Sequence, residues 1–173
     1  MSDIGEIKMD NINNSLSMET VVQWFLGKAK IENVQNITPK KLQKLMYYAY
    51  AWGLVFLNET QEELNNKLFE AEFQAWVHGP VIPKIYSQYR NFGYSPIALQ
   101  DASMPKISDD VALDVLNQVW DVYSQYDANQ LESLTHDEAP WRNARFGVTP
   151  LETSRTPLLD SDMFNYYGEQ MAK

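Results

Sequence analysis

The chain contains no cysteine among its 173 residues. That excludes a disulfide framework, a thiolate zinc site and a cysteine nucleophile. Histidine is almost as scarce: His78 and His136 are the only two, so a metal centre would need both together beside carboxylates. We therefore expect no metal and no cofactor. No glycine-rich phosphate loop, nucleophile elbow or H-E-x-x-H element occurs, and the expectation is a protein that is not an enzyme. The longest run without charge, Leu45 to Asn58, falls well short of the ~20 residues that cross a bilayer. No basic and then apolar leader opens the chain. A cytoplasmic location away from membranes follows as an expectation.

Positive charge is in short supply as well. Fourteen Lys and Arg stand against 23 Asp and Glu, a net charge of −9 that repels phosphate backbones and argues against a nucleic-acid partner. A protein partner suits such a surface better. Lys40, Lys41 and Lys44 are the one local basic cluster in the central part of the chain, and they read as a solvated helix face.

What is present is apolar periodicity. With 45% apolar and 13% aromatic residues, a chain of this length can bury one real core. Residues 1–17 are polar, rich in Asn and Ser and without a period, and read as a flexible tail dispensable for folding; the domain proper is assigned to residues 18–173. Ser17 can cap a first helix that carries Val21, Val22, Phe25, Leu26 and Ala29 inward. Thr38 and Pro39 are a start signal for a second. Its broad face, Leu42, Leu45, Met46, Ala49, Trp52, Val55 and Phe56, suits a central helix, and Gly53 within it signals close approach by another element. Tyr47 and Tyr50 fall off that face, as interface residues or as rim residues with wet hydroxyls.

Residues 59–67 form a loop, and the alternation from Leu68 to Val77 predicts a strand, with Ser95 to Leu99 as its partner. His78-Gly79-Pro80 breaks the strand, Pro83 opens a helix with Ile85, Tyr86 and Tyr89, and Asn91-Phe92-Gly93 closes it. Further helices are expected from Ser108, from Asp127 to Ser133 with Gln130 completing a capping box, from Asp137 to Phe146, and from Asp160 or Ser161 to the end. The fold class is mainly α: a single compact helical domain with a small two-stranded β-hairpin.

Three segments recur in one order: Lys41-Leu42-Gln43-Lys44-Leu45-Met46-Tyr47-Tyr48-Ala49, then Ala75-Trp76-Val77-His78-Gly79-Pro80-Val81 running on through Pro83 to Tyr86, then Leu134-Thr135-His136-Asp137-Glu138-Ala139-Pro140-Trp141 running on to Arg145. Together they resemble the SocA-like antitoxin family, or Panacea domain, which also occurs in phage-associated proteins. The chain departs from the family pattern at Tyr50 and Gln74, where Gln and Glu are usual. The resemblance implies an antitoxin of a toxin–antitoxin system on a mobile element or prophage, neutralising a cognate toxin by direct binding. Alternatives are an adaptor that delivers a bound partner to a protease, with a protease or chaperone as second partner, and, less favoured, a small metal-dependent hydrolase using His78 and His136.

On that reading the candidates for partner contact are Tyr47, Tyr50, Trp76, His78, Gly79, Pro80, His136 and Glu138. Leu42, Leu45, Tyr48, Trp52, Pro83, Tyr86, Thr135, Pro140 and Trp141 are structural. Ordinary packing competes at each contact candidate: Trp76 can plug the core at a strand-to-helix corner, His136 can hydrogen-bond between packed loops and hold Trp141, and Thr135 with Glu138 has the spacing of a capping box.

Overall fold

A computed structural model describes residues 15–173. Among them are seven α-helices and one two-stranded antiparallel sheet, a mainly α architecture. The elements are α1 (Met18–Glu32), α2 (Pro39–Leu57), β1 (Gln74–Trp76), β2 (Gly79–Val81), α3 (Pro83–Tyr89) with a 3₁₀ turn at Arg90–Phe92, α4 (Asp110–Tyr123), α5 (Ala128–Asp137), α6 (Ala139–Ala144) and α7 (Asp160–Ala172). Most of the expected tail, residues 1–14, lies outside the described residues. Its last part is joined to the fold, since the Leu16 amide donates to the Leu68 carbonyl at 2.8 Å.

Local chemistry sets the helix starts. Ser17 accepts from the Thr20 amide and Thr38 from the Lys41 amide, with Pro39 in the first turn where its missing N–H costs nothing. Asp127 and Gln130 form a reciprocal capping box. At two other helices the caps differ from expectation. Asp109, rather than Ser108, accepts from Val111 and Ala112, and α7 follows Leu159 with no side-chain cap. Acidic residues in its first turn, Asp160 and Asp162, complement the helix dipole instead.

The middle of the molecule is α2, which packs against α1, α3, α4, α5, α7 and β2. From Leu42 through Ala51 every side chain is buried. Two expectations fail here for the same reason. Tyr47 and Tyr50 are 0% and 1% exposed, not rim or interface residues, and Lys41 and Lys44 are 0% and 1% exposed, not a solvated face. A helix enclosed on every side has no face left for water.

The sheet also corrects the sequence reading. β1 covers only Gln74–Trp76, and its partner is β2, with Trp76 opposite Gly79 across a two-residue turn of Val77 and His78. Residues 95–99 form no strand; Ile97 instead donates its amide to the Ile37 carbonyl and is buried. The other side of β1 is lined by residues 156–158, through Ala75 N–H to Thr156 O and Leu158 N–H to Phe73 O, both 2.8 Å. Helix α5 runs on to Asp137, so Thr135 is not a cap; its hydroxyl donates back to the Glu132 carbonyl.

Two helical glycines separate packing from propensity. A Cβ at Gly27 would lie 2.5 Å from the Met104 backbone, where the 99–104 segment crosses α1 and Lys30 donates to the Gln100 and Ala102 carbonyls. A Cβ at Gly168 in α7 would meet nothing within 4 Å. We expect Gly27→Ala to destabilise by about 1–3 kcal/mol through overpacking, and Gly168→Ala to stabilise by about 0.5–1 kcal/mol through helix propensity. Urea unfolding of the two variants checks both signs.

Candidate functional site

A groove of about 460 Å³ opens where the start of α2 meets the β-hairpin, α3 and the loop around Arg155. Trp76 and Tyr86 form one wall, ring centroids 4.9 Å apart and edge to face. Tyr86, assigned a structural role from sequence, is 44% exposed, and Tyr94 at the mouth is 93% exposed. The charged side chains that line the groove are Lys40, Lys44, Arg90 and Arg155, all basic, in a chain of net charge −9. His78, with most of its side chain in solvent, joins them.

Lys44 lines the groove from within the core. Its amine donates to the Pro80 carbonyl at 3.2 Å. Gly79 is wedged between this side chain and Thr135: a Cβ there would lie 2.5 Å from Lys44 Cε and 2.9 Å from Thr135 Oγ1, and its φ of +110° already disfavours any L side chain. Next to it Gln43 clamps the end of β2, its amide donating to Ile82 O at 3.0 Å and its carbonyl oxygen accepting from Ile82 N at 2.9 Å. Burial lowers the Lys44 pKa to about 7; Glu132 opposes the shift and Lys40 adds to it. Glu132 itself accepts from Lys40 at 2.8 Å and faces His78 Nδ1 at 3.1 Å.

On the far side of α2, Glu138 accepts from the Tyr48 hydroxyl at 2.7 Å and the Tyr167 hydroxyl at 2.9 Å, and Tyr167 and Tyr47 hydroxyls lie 3.0 Å apart. Tyr50 donates to Asp160 at 2.9 Å. Burial raises the Glu138 pKa to about 7, against the two tyrosine hydrogen bonds. These contacts tie α7 and the α5–α6 junction to α2, so Glu138 holds the fold together from inside.

His136 stacks on Trp141 with centroids 4.0 Å apart, and burial lowers its pKa, against Glu132 and the Val77 backbone. Its Nε2 is buried and has no hydrogen-bond partner among the described residues. Trp141 is half-buried, and its indole N–H donates to the Trp76 carbonyl at 2.9 Å. Arg145, its guanidinium 5.1 Å from the centre of the Trp141 ring, donates to Ala75 O, Thr149 O and Glu152 O. Leu42, Leu45, Tyr48, Thr135 and Pro140 are buried, Trp52 is partly so, and Pro83 opens α3. Among the described residues no group of three or more His, Asp or Glu side chains is arranged to hold a metal ion, and no helix is long and apolar enough to cross a membrane.

The structure thus brings Trp76 and His78 to one groove, sets Gly79 and Pro80 against Lys44 behind it, and places Tyr47 and Tyr50 in the interior, with Glu138 partly buried at the α5–α6 junction. A family model described as antitoxin SocA-like, Panacea domain, matches residues 42–142, more than half of the chain. The protein belongs to this family. Neither a curated relative nor a solved structure matched. The matched span runs from within α2 into α6 and includes the hairpin, Glu138 and much of the groove, whereas Lys40 and Thr153 to Arg155 of the groove lining, with α1 and α7 of this Panacea domain, lie outside it.

Both shifted groups make stability depend on pH. Glu138, with its folded pKa raised from 4.5 to about 7, contributes stability that is fully present below the unfolded value and lost as pH rises through about 7. Lys44, lowered from 10.5 to about 7, contributes stability present above the unfolded value and lost as pH falls through about 7. Together they dig a trough near neutrality, each with a slope of up to about 1.4 kcal/mol per pH unit. Denaturant melts across pH should show Glu138→Gln flattening the acid side of this trough and Lys44→Met the alkaline side.

Proposed function

We propose that this Panacea domain is the antitoxin of a toxin–antitoxin pair and neutralises its toxin by direct contact. Membership of the SocA-like antitoxin family over residues 42–142 carries the reading. Occlusion needs a rigid surface and no chemistry, so on this reading the protein is not an enzyme and works in the cytoplasm beside its target. The loop after α6 supports it. Phe146 and Leu151 are 92% and 86% exposed, yet the loop between them is pinned, since Arg145 grips the Thr149 and Glu152 carbonyls from a buried position. Large apolar side chains displayed on an ordered loop lose little entropy when a partner covers them. Of the contact candidates read from sequence, Tyr47, Tyr50, Gly79, Pro80 and Glu138 act through this scaffold by positioning it.

The test is co-expression with the toxin encoded beside this chain, read as growth rescue and as co-elution of the two purified proteins. Phe146→Ser with Leu151→Ser should weaken binding at least about tenfold and leave the melting temperature within a few degrees. Rescue that vanishes in cells lacking an energy-dependent protease would instead favour the adaptor reading. Rescue with no complex between the proteins would overturn occlusion.

A further inference from the structure

The groove at the start of α2 is basic and aromatic in a molecule that is otherwise acidic, and antitoxin action by the Phe146–Leu151 loop makes no use of it. We propose that it is a binding site for a phosphorylated nucleoside: a planar ring against the Trp76–Tyr86 wall and an anionic group met by Lys44, Arg90 and Arg155.

Four observations carry this. The first is charge. Among the groove's charged lining residues, Lys40, Lys44, Arg90 and Arg155, none is acidic, although the chain carries nine more negative than positive charges. Glu132, just behind the lining, is already engaged by Lys40 and His78. The second is the state of the basic groups. Lys44 is 1% exposed as a residue, and its amine, which has three donors, gives one hydrogen bond among the described residues, to Pro80 O. The Arg90 and Arg155 guanidinium groups form no hydrogen bond or ion pair with another described residue, the one Arg90 donation being its backbone N–H to Tyr86 O. Desolvated or idle cations beside a cavity are donors awaiting an acceptor, and planar guanidinium groups suit phosphate oxygens in particular.

The third observation is the wall. Trp76 fixes its indole through Nε1 to Gln74 Oε1 at 2.8 Å, which sets the ring's orientation in advance. With Tyr86 beside it and Tyr94 open at the mouth, the groove offers π faces on which a base can stack. The fourth is size. A volume of about 460 Å³ falls within the range of small-molecule and cofactor sites. It is too small for a folded partner and ample for one nucleotide. The net charge of −9 disfavours a nucleic-acid strand, which has to track over many phosphates, but leaves a single phosphorylated nucleoside free to enter.

The experiment titrates the purified full chain with AMP, ADP, ATP and GTP, and separately with adenosine, inorganic phosphate and an acidic Tyr-containing peptide. Calorimetry and tryptophan fluorescence give the readout. Saturable binding of at least one nucleotide is expected, with adenosine and inorganic phosphate each weaker by about tenfold or more, because ring and anion both contribute. Lys44→Met should weaken that binding by about tenfold or more. Since Lys44 is buried, the exposed pair Arg90→Ala with Arg155→Ala provides a second variant, and its circular dichroism and melting temperature should match those of the parent while nucleotide binding falls as far. No saturation by any nucleotide up to millimolar concentration would overturn the proposal. So would equal binding of inorganic phosphate alone, which marks a bare anion site, tighter binding of the acidic peptide, which marks a protein-docking groove, or full binding by the double arginine variant. None of these outcomes depends on the toxin, so the site and the antitoxin reading stand or fall separately.

Discussion

A helix enclosed on all sides must satisfy its own polar side chains from inside the protein, and in this Panacea domain that helix is α2. Each of its buried polar groups reaches a different neighbour. Lys41 donates to Asn36 and to the Ser124 carbonyl at the end of α4, Gln43 clamps Ile82, and Lys44 holds Pro80. Tyr48 reaches Glu138 and Tyr50 reaches Asp160 at the start of α7. Apolar burial supplies the non-directional part of the driving force. These bonds supply direction, since a buried donor or acceptor left unpaired costs about 1–3 kcal/mol. An arrangement of the surrounding elements that misplaced one of them would leave a polar atom stranded in the core.

The same constraint shapes the two functional regions. At the hairpin, Lys44 and Gln43 take up backbone carbonyls and an amide that would otherwise face the core, and this fixes Trp76 at the groove wall through its pairing with Gly79. On the facing strand, at Ala75 opposite Pro80, Arg145 joins the Ala75 carbonyl to the loop that displays Phe146 and Leu151. The loop then runs on through Thr153, Ser154 and Arg155 into the lining of the groove, so the two regions share one stretch of chain along β1. A change in one can be felt at the other through a few hydrogen bonds rather than through a long relay.

Features that depend on near neighbours in sequence were legible there. The Ser17, Thr38 and Asp127–Gln130 caps each involve residues three apart, and the close approach at Gly53 is by Leu68, to whose Cβ a Cβ at Gly53 would lie 3.0 Å away. Features that depend on distant partners were not. The lysines of α2 look like a solvated face because their acceptors lie 83 residues away for Lys41 and 36 for Lys44. The strand pairing was misplaced because β2 contains Pro80, which removes a ladder donor, and because Val77-His78 lacks the usual glycine or asparagine of a two-residue hairpin turn. Arg90, Tyr94 and Arg155 went unnoticed as site residues, since only the fold brings their separate loops to the edge of one groove. The three motif segments, by contrast, converge on the hairpin and the Glu138 junction, so the resemblance pointed to the region even where roles for Tyr47 and Tyr50 were misjudged.

The buried polar groups of α2 organise the elements around it, and the Ile82 amide reports on that organisation directly. This amide lies just beyond β2 and is held by a side chain, the Gln43 carbonyl oxygen at 2.9 Å, rather than by a ladder or a helix. Native-state hydrogen exchange measures what must open to release it. If the clamp organises the fold, Ile82 exchanges only with global unfolding, at the same free energy as the slowest amides of α2, and Gln43→Leu lowers that free energy for both. Exchange of Ile82 by local opening, as fast as in an exposed loop while α2 stays protected, would contradict the account.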